Sequence, residues 1–251
     1  MAIDRVIWAG TFDGDQFPML PCPACRRGRV AFDKSSLRLE EPRYSSLGPE
    51  EKNWIPTFEV NRFSAHLHCV EPKCGEVVVI LGDTEFIEVT DDEVGFGYSS
   101  VLRPRMMFPA PPIIGLPEDT PWLVKNELAA AFGLYWYDTG SSANSVRKSL
   151  EFLLDHLKVP RISTSKKTGK PTELDLNGRI QFYEKTSPSH ASTFHALRTV
   201  GNLGSHGAAV TLEVLLDAFE IYEDALADLI DGRRKYLEEL RNKIISTKGK
   251  Y

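Results

Sequence analysis

Two groups of residues in this chain have the types and spacing to do chemistry. The first is four cysteines, Cys22-Pro-Ala-Cys25 and Cys69-Val-Glu-Pro-Lys-Cys74, all in the first third of 251 residues. Two short pairs separated by a longer strand-forming stretch can curl into two tight turns that aim four thiolates at one point. That is the tetrahedral shell of a structural Zn²⁺ ion. Gly28 and Gly75, just beyond the pairs, let the backbone fold back. Two disulfides, or four unrelated buried thiols, are the other readings, and a reducing compartment disfavours the disulfides. His66 and His68, beside Cys69, are either substitute ligands or ordinary strand residues.

The second group is the string His195-Ala-Leu-Arg198-Thr-Val-Gly201-Asn202-Leu-Gly204-Ser205-His206-Gly207. Each glycine would weaken a helix interior by about 1 kcal/mol, so the three must serve a close approach or a helix end. Around them stand Arg198, Asn202 and His206. A guanidinium, an amide and an imidazole together can hold a phosphate and move a proton. The structural alternative makes Asn202 the cap of a helix end, with Arg198 and His206 hydrogen-bonded across a helix pair, Glu151 being one partner. Residues 158–170 hold five bases and no acid. Lys166, Lys167 and Lys170 there are the candidate phosphate contacts, although such runs are usually solvated faces.

These groups need two kinds of scaffold. Residues 57–69 alternate as a strand does, residues 77–81 and 85–89 suggest a hairpin around Gly82-Asp83, and 95–102 suggest a third strand. Six prolines between 103 and 121 read as a stiff linker. Beyond it the period becomes helical. Thr120-Pro121 starts a helix that runs to about Tyr137. Val146, Leu150, Leu153 and Leu157 stripe a second, and a short one covers 174–184. Ser187-Pro188 opens a fourth that runs toward Gly201. Leu215, Phe219, Tyr222, Leu226 and Leu229 stripe the last, which Gly232 kinks or ends if it does not run on to Ile245. The expected fold is α+β. A zinc-ribbon-like β domain spans 1–114 with its linker from about 103, and an antiparallel helical bundle spans 115–251.

Composition excludes several classes. No apolar run reaches the length of a membrane span, and the N-terminus lacks the pattern of a secretory signal, so a cytoplasmic protein is expected. A net charge of −5 argues against blanket coating of nucleic acid. No phosphate loop, dinucleotide fingerprint or nucleophile elbow occurs, which disfavours a small-molecule enzyme.

The 195–207 string resembles a family of prokaryotic domains of unknown function, often encoded near or fused to restriction and defence genes. They carry an Arg-x-x-Gly-Asn-x-x-x-His segment and an upstream helix of the kind seen here as Ser145-Val-Arg147-Lys-Ser-Leu150-Glu151-Phe-Leu. The family is grouped with the HEPN superfamily of helical bundles, many of them metal-independent RNases. The resemblance covers about residues 118–230, and the cysteine-rich N-terminal part is also found in some members. It implies a homodimer through the helical domain, RNA or DNA as ligand, and a protein partner in a defence system. It also implies that His206 moves the proton of a ribose 2′-hydroxyl or leaving oxygen. Arg198 would stabilise the scissile phosphate, and Asn202 would orient histidine or substrate. Active members separate arginine from histidine by about four to six residues, whereas seven separate Arg198 from His206 here. Catalysis therefore requires a bend at Gly201 or Gly204. A non-catalytic module that docks a protein or nucleic acid is the alternative function.

Overall fold

The computed structural model describes residues 3–25, 27–47, 55, 58–91, 95–164, 169–205 and 209–250, with the backbone alone at 91, 95, 186 and 233–235. The fold is α+β: an N-terminal antiparallel sheet, then helices. The chain divides into two compact units. One comprises Asp4–Ile113 and Phe132–Asp138, the other Met1–Ile3, Ile114–Ala131 and Thr139–Tyr251.

In the first unit, β1 (Leu20–Pro21), β2 (Arg29–Glu40), β3 (Arg62–Cys69), β4 (Val77–Asp91) and β5 (Gly95–Phe108) form one sheet in sequence order. Every neighbouring pair is antiparallel. A single turn of helix, α1 (Arg43–Ser46), lies between β2 and β3. Alternation sorts the faces. In β3, Phe63, Ala65 and Leu67 are buried, while Ser64, His66 and His68 face solvent. Val30, Val78, Ile80 and Met107 complete the buried layer. Trp8 is buried in the same unit, where its carbonyl accepts from the Tyr135 hydroxyl at 3.0 Å. The indole N–H of Trp136 donates to the Ala9 carbonyl, also at 3.0 Å.

Two expectations fail here for one reason. No hairpin turns at Gly82-Asp83, because β4 runs straight through them, pairing Gly82 with Phe63 on one side and Pro104 on the other. The supposed linker from about 103 is strand as far as Phe108. A Cβ on Gly82 would lie 2.1 Å from the Arg103 carbonyl oxygen, so this glycine serves a close backbone approach and not a turn. The register slips there, pairing Leu81 with Met106 and Gly82 with Pro104. Proline is tolerated because β5 is an edge strand and Pro104 sits at the bulge. Gly82→Ala should cost several kcal/mol, since backbone and not a flexible side chain must move. A thermal melt within about a degree of wild type would contradict this close approach.

The second unit carries α2 (Trp122–Leu134), α3 (Thr139–His156), α4 (Leu176–Thr186), α5 (Ala191–Ser205), α6 (Leu212–Asp231) and α7 (Arg233–Thr247). The end of α2 clusters with the sheet unit. It stops at Leu134, before the expected Tyr137, and the Thr120 hydroxyl turns back onto the Pro117 carbonyl at 2.8 Å. Val146, Leu150 and Leu153 of α3 are buried as expected, as are Leu215, Phe219, Tyr222 and Leu226 of α6. Gly232 adopts φ 63°, ends α6 and separates it from α7, so no single helix reaches Ile245. The basic stretch holds a two-stranded ribbon, β6 (Ile162–Thr164) with β7 (Pro171–Glu173). No described helix is long and apolar enough to cross a membrane.

One buried cation fixes α4 against α3. The Arg179 side chain is 3% exposed. It donates to the carbonyls of Glu151 and Val159, both at 3.1 Å, and to the Asp155 carboxylate at 2.7 Å. Arg161 binds the same carboxylate at 2.6 Å, and Arg161 with Arg179 holds the Asp155 carboxyl below its usual range. Arg179→Ala strips two buried carbonyls of their donor, and roughly 2–4 kcal/mol of stability should go with it. Denaturant unfolding measures that loss, and a change under about 0.5 kcal/mol would contradict the assignment.

Candidate metal centre and the arginine-bearing helix seam

Each cysteine pair sits in a hydrogen-bonded turn beside the β2–β3 end of the sheet. The Cys22 amide donates to the Gly28 carbonyl at 3.0 Å, and the Cys69 amide to the Glu76 carbonyl at 2.9 Å. Gly75, at φ 67°, reverses the chain after Cys74. Gly28 has a different task. A Cβ there would lie 2.8 Å from the Cys69 sulfur and 3.0 Å from that of Cys25, so only glycine leaves room for the thiolates. Its amide also donates to the Cys25 sulfur at 3.2 Å. That bond favours the thiolate and lowers the Cys25 pKa to about 7. Burial pushes the Cys69 thiol up to about 12.

The four ligand atoms lie within 4.8 Å of one another. Cys22 and Cys74 sulfurs are 3.7 Å apart, and so are those of Cys25 and Cys69. A disulfide needs about 2.05 Å, and no described cysteine is in one. A tetrahedral ion with metal–sulfur bonds of about 2.3 Å holds its sulfurs about 3.8 Å apart. The donor set therefore fits a tetrahedral metal ion and leaves no open position. His66 and His68 take no part: they alternate with buried Ala65 and Leu67 and point to the other face of the sheet from Cys69.

The glycine-bearing string forms α5, which continues through Gly201 and Gly204 to Ser205. The helix is not interrupted at either glycine. Both serve packing against α3. A Cβ on Gly201 would lie 2.4 Å from the Arg147 Cβ, and one on Gly204 would lie 2.3 Å from the Gly140 carbonyl oxygen. Asn202 is therefore inside the helix and does not cap it.

Arg198, Asn202 and Ser205 follow at spacings of four and three, which put them on one stripe of α5. The Ser205 hydroxyl is 3.3 Å from the Asn144 side-chain oxygen on α3. Arg147 lies 3.5 Å from Glu151, one turn along α3, and this pair is about two-thirds buried. Arg198 makes no described bond to Glu151. Among the described residues, the Nε atoms of Arg147, Arg179 and Arg198 are buried and lack a hydrogen-bond acceptor, although the other guanidinium nitrogens of Arg179 are engaged by Glu151, Asp155 and Val159. His206, Lys166 and Lys167 lie outside the described residues, and Lys170 is exposed just before β7.

Gly201 seats the Arg147 stem, a role that the sequence string alone does not reveal because the long side chain it faces belongs to the neighbouring helix. Elsewhere, a hollow of about 290 Å³ is lined by Arg62, Arg103, Arg105, Asp83 and Glu85. Its charges pair internally. Arg62 and Arg105 both bind Asp83, and Arg103 binds Glu85.

Residues 10–107 match a family described as a domain of unknown function (DUF8608), and residues 129–245 match another, also a domain of unknown function (DUF4145). No curated protein and no solved structure gives a significant match.

Proposed function

We propose that this chain is a zinc-stapled binding module whose helical unit holds nucleic-acid phosphate along the α3–α5 seam without cleaving it. The observation that supports binding is that two of the three buried Nε donors without a described acceptor, those of Arg147 and Arg198, belong to the α3–α5 pair. A buried donor of this kind calls for an unseen partner, and a phosphate oxygen is the strongest one available to guanidinium. What weighs against cleavage is the unbroken helix to Ser205. Zinc is the metal that four thiolates in a closed tetrahedral shell favour. Homodimer pairing through the helices and a protein partner in a prokaryotic defence complex, both implied by the HEPN resemblance, belong to the same reading.

Labelled single-stranded RNA and duplex DNA should bind the protein in low salt. Affinity should fall with rising salt, and Arg198→Ala should weaken binding roughly uniformly across sequences and lower the salt slope by about one. Absence of binding at about 50 mM salt rejects the reading. Metal-free RNA cleavage that disappears in His206→Ala would reject it in the other direction, in favour of an RNase. Light scattering reports the dimer. Elemental analysis should find one equivalent of zinc per chain.

A further inference from the structure

We propose a second metal site, for a divalent transition ion such as Zn²⁺, Ni²⁺ or Cu²⁺, formed by Asp33, His66 and His68 on the open face of the sheet. The inference is independent of the function proposed above and of the four cysteines.

Residues two apart on a strand share a face, so His66 and His68 project to the same side of β3. Their ring centroids are 6.2 Å apart. Asp33 of β2 pairs directly with His66 across the ladder, which puts the three side chains in one patch. Its Oδ2 is already 3.7 Å from the His68 Nε2. Two imidazoles on one tetrahedral ion, each at about 2.0–2.1 Å, have their centres about 5–5.5 Å apart. The three ligands do not converge to within 4.8 Å as they stand, so the exposed rings must rotate to close the site.

The carboxylate is held for this task. The register shifts between Asp33 and Arg38, and inside that bulge the Ser35 amide and hydroxyl both donate to Asp33 Oδ1, at 2.9 and 2.6 Å. The Ser36 hydroxyl donates to the Asp33 carbonyl at 2.6 Å, and the His66 amide donates back to that hydroxyl at 2.8 Å. One oxygen is thus fixed by its neighbours and the other faces the histidines. This is the support that metal-binding carboxylates need. Bulges commonly re-aim a side chain in this way. Val77 and Val79, cross-strand partners of His68 and His66, give the patch an apolar wall on the side away from Asp33. Two nitrogens and one oxygen suit borderline divalent ions. Three protein ligands leave at least one position open to water or to an anion.

The test uses the full chain saturated with zinc and freed of excess. Calorimetric titration with Ni²⁺ should show one further equivalent. His68→Ala and Asp33→Asn should each weaken it by about tenfold or more, and the His66→Ala/His68→Ala double variant should abolish it. His66 and His68 are exposed, so the histidine variants should melt with wild type, which separates loss of the site from loss of fold. Co²⁺ provides the second readout: absorption without a thiolate charge-transfer band marks binding away from the cysteines. Titrations that are identical in wild type and double variant overturn the proposal. So does extra metal that always brings the thiolate band.

Discussion

Cys69→Ser is expected to unfold the sheet unit at ambient temperature. The magnitudes decide it. A structural zinc ion contributes an apparent 10–16 kcal/mol or so, and only to the folded state. A domain of this size has a net stability of about 5–15 kcal/mol. The metal term is thus as large as the whole margin. The geometry leaves no partial substitute, because Cys69 is the sulfur that Gly28 makes room for and 3.7 Å from that of Cys25. Circular dichroism of the variant should lose its strand signal, while wild type treated with a strong chelator should follow it. The sequence divides into two compact units, so helical signal should persist in both samples. A variant that keeps its sheet and melts with wild type would mean that the cysteines are not a metal centre.

Gly204→Ala carries the second large effect, and its sign is the informative part. On an exposed helix the change should stabilise by about 1 kcal/mol, because alanine is the better helix former. Here the added Cβ would lie 2.3 Å from a carbonyl oxygen of α3 and 2.9 Å from its carbon. Backbone must separate from backbone, and overpacking of that kind costs roughly 1–3 kcal/mol or more. We therefore expect net destabilisation of about 2 kcal/mol. Gly201→Ala should cost a comparable amount, since the nearest atom it meets is the Arg147 Cβ at 2.4 Å, which moves only with the α3 backbone. Stabilisation by either substitution would show that the seam is open. It would also remove the packing explanation for a glycine-bearing helix.

The legible parts of this molecule were those governed by short-range rules. Cys22, Cys25, Cys69 and Cys74 could be grouped because ligand spacing is local to each turn. The stripe on α6 could be read because Leu215, Phe219, Tyr222 and Leu226 follow helical period over about three turns. What failed depended on contacts between distant segments. Gly82 looks like a turn residue until Arg103 is seen against it. Pro104 looks like a linker residue until β5 proves to be an edge. Gly201 and Gly204 look like hinges until α3 is seen to fill the space where their side chains would be. In each case the glycine was noticed, and the choice between bending and close approach was decided by another part of the chain. The strand β2 was missed because its alternation is spoiled by the bulge at Asp33, the same irregularity that fixes the carboxylate.

The sequential strand order has a consequence for how the chain comes to be folded. Neighbouring strands are also neighbours in sequence, so each hairpin can zip up in turn as it leaves the ribosome, over short connections except between β2 and β3, where 41–61 intervene. The metal cannot keep pace. Its first two ligands emerge with Cys25 and must wait for Cys74, 52 residues after Cys22, before the shell can close. If a metal ion fills the site, the nascent chain presents a half-built thiol pair through that interval, and the shell closes only after Cys74 has been made.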